Sequence, residues 1–113
     1  MVRLIVNIVL GALIWFPVLV FAANKDMATG TIIIKDHRFE PAELTVPAGQ
    51  KIKLTVDNQD PTPEEFESND LNREKVVAGN KKIIVFIGPL KPGTYKYFGD
   101  FHNKTAQGTI TAQ

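Results

Sequence analysis

The stretch that decides the fold is residues 95–110, YKYFGDFHNKTAQGTI, which contains two strand-like segments and a short polar loop. Its aromatic first half and its β-branched second half, which continues to Thr111, are typical of a strand pair. The loop between them holds Asp100 and His102, two residues apart. Because loops at the end of a β-sandwich hold functional side chains on a rigid frame, this pair is a candidate metal site.

Working outward, residues 51–57, KIKLTVD, show the clearest alternation, with Ile52, Leu54 and Val56 on one face. The other β-branched, alternating or extended runs are residues 31–35, 43–46, 64–68, 81–87, 94–98 and 107–112. Turn-forming residues, such as PAGQ at 47–50, separate these runs. About seven short strands with regular turns predict an all-β sandwich or barrel. The length of 113 residues fits a single domain.

The beginning of the chain has a different character. Arg3 precedes an almost entirely apolar run from Leu4 to Phe21, which ends in the small residue Ala22. This pattern predicts a helical signal peptide over residues 1–22, cleaved on export. The competing interpretation is an uncleaved membrane anchor, since the run approaches the roughly 20 residues that span a bilayer. Residues 23–30 form a polar lead that we expect to be flexible, followed by a domain over residues 31–113.

Composition excludes several function classes. The chain has no cysteine, which removes disulfides, thiolate chemistry and sulfur-rich metal sites. Without Arg3, 12 basic residues face 12 acidic ones, so the near-neutral domain lacks the basic surface that nucleic acid requires. No nucleophile elbow, catalytic triad spacing or phosphate loop is present, so we do not expect an enzyme with a nucleophile.

Histidines and carboxylates are therefore the residues that could carry chemistry. The candidate metal ligands are His102, Glu64, Glu65, Glu67, Asp100 and His37. In an extended segment Glu65 and Glu67 point to one face and Glu64 to the other. Imidazole combined with carboxylate suits Fe, Mn, Zn and Cu(II). The simpler alternatives are a solvated loop for His37 and a solvated acidic face for the three glutamates.

The segment Gly93–His102 resembles the final copper loop of the cupredoxins, and FEP at 39–41 followed by LTVPAG at 44–49 resembles the opening of that family. The resemblance covers residues 31–112 and implies a Greek-key β-sandwich. It matches His102 to the loop histidine of the family and sets Gly99 where the copper thiolate stands. Glu64 lies near the place of the upstream histidine. Without the thiolate there is no blue-copper centre.

One subgroup is more similar. The runs PEEFES at 63–68, LNRE at 71–74 and FGDFH at 98–102 resemble cysteine-free, cupredoxin-like periplasmic proteins. Those proteins accompany bacterial iron-uptake systems built around an inner-membrane iron permease. The resemblance implies a periplasmic protein that binds iron or copper and assists iron uptake, with that permease and other periplasmic uptake components as partners. A homodimer and a supporting role in iron oxidation are further expectations.

Two alternatives remain open from the sequence. The first is a metal-free interaction module that uses the sandwich only as a docking surface. The second is a thiol-free carrier of Cu(II), which would bind copper far better than iron.

Overall fold

Nine strands and one short 3-10 turn make up residues 27–113, the part of the chain that the computed structural model describes. The strands are β1 (Ala28–Lys35), β2 (Arg38–Glu40), β3 (Glu43–Val46), β4 (Ile52–Asn58), β5 (Glu64–Ser68), β6 (Arg73–Val77), β7 (Lys82–Ile87), β8 (Gly93–Gly99) and β9 (Gln107–Ala112). The 3-10 turn spans Asp100–His102. The predicted signal peptide or anchor and residues 23–26 of the lead lie outside the described residues. None of the helical structure in residues 27–113 has the length and apolarity to cross a membrane.

The strands form two sheets that pack face to face. One sheet has the order β2-β1-β4-β7 and the other the order β3-β9-β8-β5-β6. β1 runs parallel to β4 and β3 parallel to β9, while the other pairs are antiparallel. The prediction of an all-β sandwich is confirmed. Fully buried apolar side chains from both sheets, such as Ile32, Leu54, Phe66 and Ile110, fill the space between them.

Local sequence explains which strands were recognisable. β4 alternates strictly, because Ile52, Leu54 and Val56 are 0% exposed while the residues between them are half-buried. The expected count of about seven strands was too low by β2 and β6. β2 has only three residues, and β6 begins with the charged run REK, so neither shows an apolar alternation. β1 starts at Ala28 rather than Thr31, because its parallel pairing with β4 begins there.

The position of β5 determines where the candidate site residues lie. β5 pairs with β6 along its whole length, but its register with β8 covers only Phe66 opposite Gly99 and Glu67 opposite Phe98. The first residues of β5 therefore extend past the end of β8 and reach the loop that joins β8 to β9. That contact brings two distant parts of the sequence together at one edge of the sandwich.

Candidate metal sites

Glu64, the first residue of β5, is almost fully buried beneath the β8–β9 loop. Its Oε2 atom lies 2.7 Å from Nδ1 of His102, and its Oε1 atom accepts the backbone N–H groups of Glu65 and Phe101, each at 2.9 Å. An ionised carboxylate only accepts hydrogen bonds, so Nδ1 of His102 then carries the hydrogen and Nε2 keeps a lone pair. Carboxylates commonly orient metal-binding histidines in this way.

His37 reaches the same edge from the two-residue turn between β1 and β2. Asp36 and His37 have φ values of 51° and 57°, the signature of a type I′ hairpin turn. Left-handed backbone is unfavourable for residues other than glycine. The carboxylate of Asp60 compensates by accepting the N–H groups of Asp36 at 2.8 Å and of His37 at 3.0 Å. Nδ1 of His37 lies 3.5 Å from the same carboxylate.

The two imidazole rings stack on each other. The ring centroids of His37 and His102 are 3.6 Å apart, and their planes differ by 15°. The Thr105 hydroxyl ties the two loops together by donating to the His37 carbonyl at 2.6 Å. Because a ligand lone pair lies in the plane of its ring, one ion about 2.0–2.1 Å from both rings requires at least one ring to rotate. This pair, which we call the rim histidines, is therefore not a preformed chelate.

Residue 99 has no room for a side chain larger than that of glycine. A Cβ atom at Gly99 would lie 2.6 Å from Cδ of Glu64 and 2.8 Å from Cβ of Ala106. Glu64 thus occupies the space that a side chain on residue 99 would need. The position that the sequence comparison assigned to a copper thiolate is filled by a carboxylate from β5.

A second group of predicted ligands lies on the other face of β5. One carboxylate oxygen from each of Glu65, Glu67 and Asp100 lies within 4.8 Å of the other two. Two ligands of one oxygen-bound cation stand at most about 4–5 Å apart at coordination distances of roughly 2.0–2.6 Å. The spacing is therefore close to that of a cation site. We call these three residues the outer carboxylates.

Among residues 27–113, the outer carboxylates have no cationic side chain that pairs with them. No Lys, Arg or His of residues 27–113 forms a salt bridge with any of the three. Glu67 stands directly opposite Glu74 in the β5–β6 register, an unfavourable pairing of like charges. Glu65 is only 9% exposed, and its buried Oε1 atom has no hydrogen-bond partner. Unpaired buried acceptors are uncommon and costly.

These contacts change the protonation of the cluster. A hydrogen bond with Glu74 and burial, helped by the neighbouring acidic charges, raise the pKa of Glu65 from 4.5 to about 7. Burial, followed by the charges of Glu74 and Asp100, also raises the pKa of Glu67. Because a carboxylate must lose its proton to bind a metal ion, a cation at the outer carboxylates would compete with protons.

The structure thus brings the six predicted ligands together as two groups and not as one. Glu64, His102 and His37 meet at the rim, whereas Glu65, Glu67 and Asp100 meet on the outer face. Their assignment as metal ligands stays a prediction.

Sequence reasoning missed Asp60, which supports His37, and Glu74, which faces Glu67. Only the β5–β6 register could have pointed to Glu74, and no sequence signal distinguished Asp60 from other turn residues.

Comparison with known proteins agrees with this architecture. The cupredoxin-like domain family matches residues 7–112 of the chain. The chain belongs to this family. The cupredoxin-like chain is also 51% identical over 87 residues to an uncharacterized protein of Rickettsia prowazekii (strain Madrid E), covering 77% of the chain and 70% of that protein.

Solved structures show the same fold at low identity. Auracyanin A, a blue copper protein from Chloroflexus aurantiacus, is 21% identical with a TM-score of 0.66, covering 76% of this chain and 98% of its own. The purple cupredoxin of Nitrosopumilus maritimus is 22% identical with a TM-score of 0.58, covering 74% of this chain and 99% of its own. The metal-binding domain of the Cu(I)-exporting ATPase of Streptococcus pneumoniae D39 is 15% identical with a TM-score of 0.63, covering 75% of this chain and 84% of its own. Unlike a blue copper protein, the cupredoxin-like chain has no cysteine to supply a thiolate.

Proposed function

We propose that this cupredoxin-like protein binds iron at the outer carboxylates and assists iron uptake on the exported side of the membrane. The observation that carries the proposal is the Glu65 carboxylate, which is nine-tenths buried, has an unpartnered oxygen and lies with Glu67 and Asp100 within 4.8 Å. An uncompensated group of acidic oxygens suits a hard cation better than Cu(I), which prefers sulfur. A bound cation would relieve the repulsion between Glu67 and Glu74.

The cellular setting of the proposal comes from the sequence. Arg3 followed by the apolar run from Leu4 to Phe21 supports export to the periplasm, with a membrane-anchored form if the segment is retained. The PEEFES and FGDFH runs resemble those of proteins that accompany iron permeases. This resemblance supports an inner-membrane iron permease, with other periplasmic uptake components, as the recipient of the iron. We also propose that the protein forms a homodimer. A nearly neutral protein with an acidic metal-binding face is suited to carry a cation to such a permease.

Anaerobic calorimetric titration with Fe(II) tests the site. The comparison uses wild type, Asp100→Asn and His102→Ala, all checked for unchanged melting in the absence of metal. Asn keeps the shape of Asp100 but supplies a weaker neutral ligand, so we expect at least about a tenfold loss of affinity. His102→Ala should lose less Fe(II) affinity than Asp100→Asn, because His102 acts on the outer carboxylates only through Glu64. Unchanged affinity in Asp100→Asn contradicts the assignment of the site.

A copper(II) carrier is the second candidate function, and the rim histidines favour it. His102 is oriented by Glu64 and His37 lies beside Asp60, an arrangement that suits imidazole ligation of Cu(II). Rotation of one ring would let both imidazoles face one ion. Cu(II) titration followed by electron paramagnetic resonance should show nitrogen ligation that His102→Ala abolishes. Asp100→Asn, the matched control, should leave that signal unchanged.

If the protein is instead a metal-free interaction module, adding metal should leave its stability unchanged. A ligand that binds only the folded state raises stability, by about 2.7 kcal/mol at a hundred times its dissociation constant. A docking module without a metal site should therefore melt at the same temperature with and without Fe(II) or Cu(II). Metal analysis of the protein recovered from its own compartment complements the melting experiment.

A further inference from the structure

We infer that Glu64 is a positioning residue for the outer carboxylates: it fixes the separation of Glu65 and Asp100 without touching the cation that they bind. This inference rests on the proposed function. It assigns to Glu64 a role different from that of a metal ligand, although Glu64 lies next to one ligand in the sequence.

The β-ladder alone cannot set that separation. The register between β5 and β8 ends at Phe66 opposite Gly99, and the chain then turns into the segment Asp100–His102. Glu65 and Asp100 each lie one residue beyond the last pair of the β5–β8 register, Phe66 opposite Gly99. Regular backbone hydrogen bonds between the strands therefore stop just before the two positions that must face each other.

One carboxylate oxygen connects the two chain segments where the β5–β8 backbone hydrogen bonds stop. Oε1 of Glu64 accepts the N–H of Glu65 and the N–H of Phe101, both at 2.9 Å. The first N–H belongs to a ligand residue, and the second belongs to the residue after Asp100. Glu64 thus joins the backbone on both sides of the outer carboxylates through a single atom, which we call the Glu64 bridge.

The Glu64 bridge is held rigidly. Glu64 is 1% exposed, and its second oxygen is bound to Nδ1 of His102 at 2.7 Å. The carbonyl of His102 in turn accepts the N–H groups of Thr105 at 3.1 Å and Ala106 at 2.9 Å, which closes the loop. A buried side chain with both oxygens engaged has little freedom to rotate, so the bridge fixes a distance.

The test compares Glu64→Gln with Glu64→Ala by calorimetric titration with Mn(II), an oxygen-seeking and redox-stable cation. Both variants remove the same negative charge, so a difference in affinity between them is not an effect of that charge. The Gln carbonyl oxygen can still accept both N–H groups, whereas Ala cannot. We expect Glu64→Ala to bind Mn(II) about tenfold more weakly than Glu64→Gln, the effect of losing two hydrogen bonds. Equal affinities in the two folded variants overturn the inference.

A second measurement covers the case in which Glu64→Ala does not fold. Amide hydrogen exchange at Phe101 is followed with and without Mn(II) in His37→Ala, a variant that lacks one of the rim histidines and keeps the Glu64 bridge. Slower exchange of the Phe101 amide in the presence of Mn(II) is expected, because the cation and the bridge order the same segment. Unchanged exchange overturns the inference.

The outcomes separate the two proposals. Binding in the wild type that Asp100→Asn abolishes, together with equal affinities in Glu64→Ala and Glu64→Gln, leaves the outer site standing and removes the role of Glu64. No Mn(II) or Fe(II) binding in the wild type overturns both.

Discussion

Nδ1 of His102 lies 2.7 Å from Oε2 of Glu64, although 38 residues separate them in the sequence. This contact fastens the β8–β9 loop to the start of β5 and fills the place beside Gly99 with a carboxylate. A cupredoxin-like sandwich without cysteine therefore has a carboxylate–histidine pair inside its rim and a separate acidic cluster outside it. The two groups share the short segment from Gly99 to His102.

Gly99→Ala should destabilise the protein by about 1–3 kcal/mol, the usual cost of forcing an extra carbon into a packed site. The added Cβ would meet Cδ of Glu64 at 2.6 Å and Cβ of Ala106 at 2.8 Å, and both neighbours are buried. Urea unfolding monitored by circular dichroism gives the free energy. Gly30→Ala is the matched control, because its Cβ would meet the flexible Leu44 side chain at 3.1 Å. Equal losses in the two variants would contradict the crowding argument.

Asp60→Ala should cost about 1–3 kcal/mol, because it removes the acceptor of two backbone N–H groups in a left-handed turn. Asp36 and His37 would lose hydrogen bonds of 2.8 and 3.0 Å. Asp57→Ala provides the control, since Asp57 forms a 4.0 Å ion pair with the largely exposed Lys82, and such pairs contribute little. Thermal unfolding should rank Asp60→Ala well below Asp57→Ala. Similar melting of the two variants would show that the turn does not depend on Asp60.

The metal-free protein should lose stability as the pH rises from about 4.5 to about 7. The folded pKa of Glu65 is raised from 4.5 to about 7, so the folded state binds more protons than the unfolded state in this window. The stabilisation is complete below the unfolded pKa and is lost as the pH passes the folded pKa. Raised pKa values at Glu65 and Glu67 act in the same direction.

Glu65→Gln isolates this effect, because it removes the titrating group and keeps its shape. Between pH 4.5 and 7.5 its melting temperature should fall less than that of the wild type. Saturating Fe(II) should raise the melting temperature of the wild type most at the upper end of that range. Glu43→Gln, on the edge strand β3, is the control and should follow the wild type. A Glu65→Gln profile identical to that of the wild type would contradict a raised pKa at Glu65.

Much of the fold follows from the sequence because its strands bury one face. The strict alternation of Ile52, Leu54 and Val56 predicts β4, and the same period predicts that Glu65 and Glu67 face away from Glu64. β6 escapes prediction because four of its five residues are exposed. Its stability comes from pairing with β5, which is a tertiary property and leaves no local pattern.

The grouping of the site residues could not be derived in the same way. The separation of the rim from the outer face depends on where the β5–β8 register ends, which a single sequence does not reveal. The type I′ turn that brings His37 over His102 has His37 at the second central position, where glycine is usual. Asp60, which approaches from a later part of the chain, accepts the N–H groups of both turn residues.

Anomalous diffraction at the iron absorption edge, from crystals grown anaerobically with Fe(II), tests iron binding at the outer carboxylates most directly. We predict an iron peak within coordination distance of oxygens from Glu65, Glu67 and Asp100, while Glu64 stays bound to His102. A peak found only beside His102 and His37, or no peak in iron-saturated crystals, would contradict it.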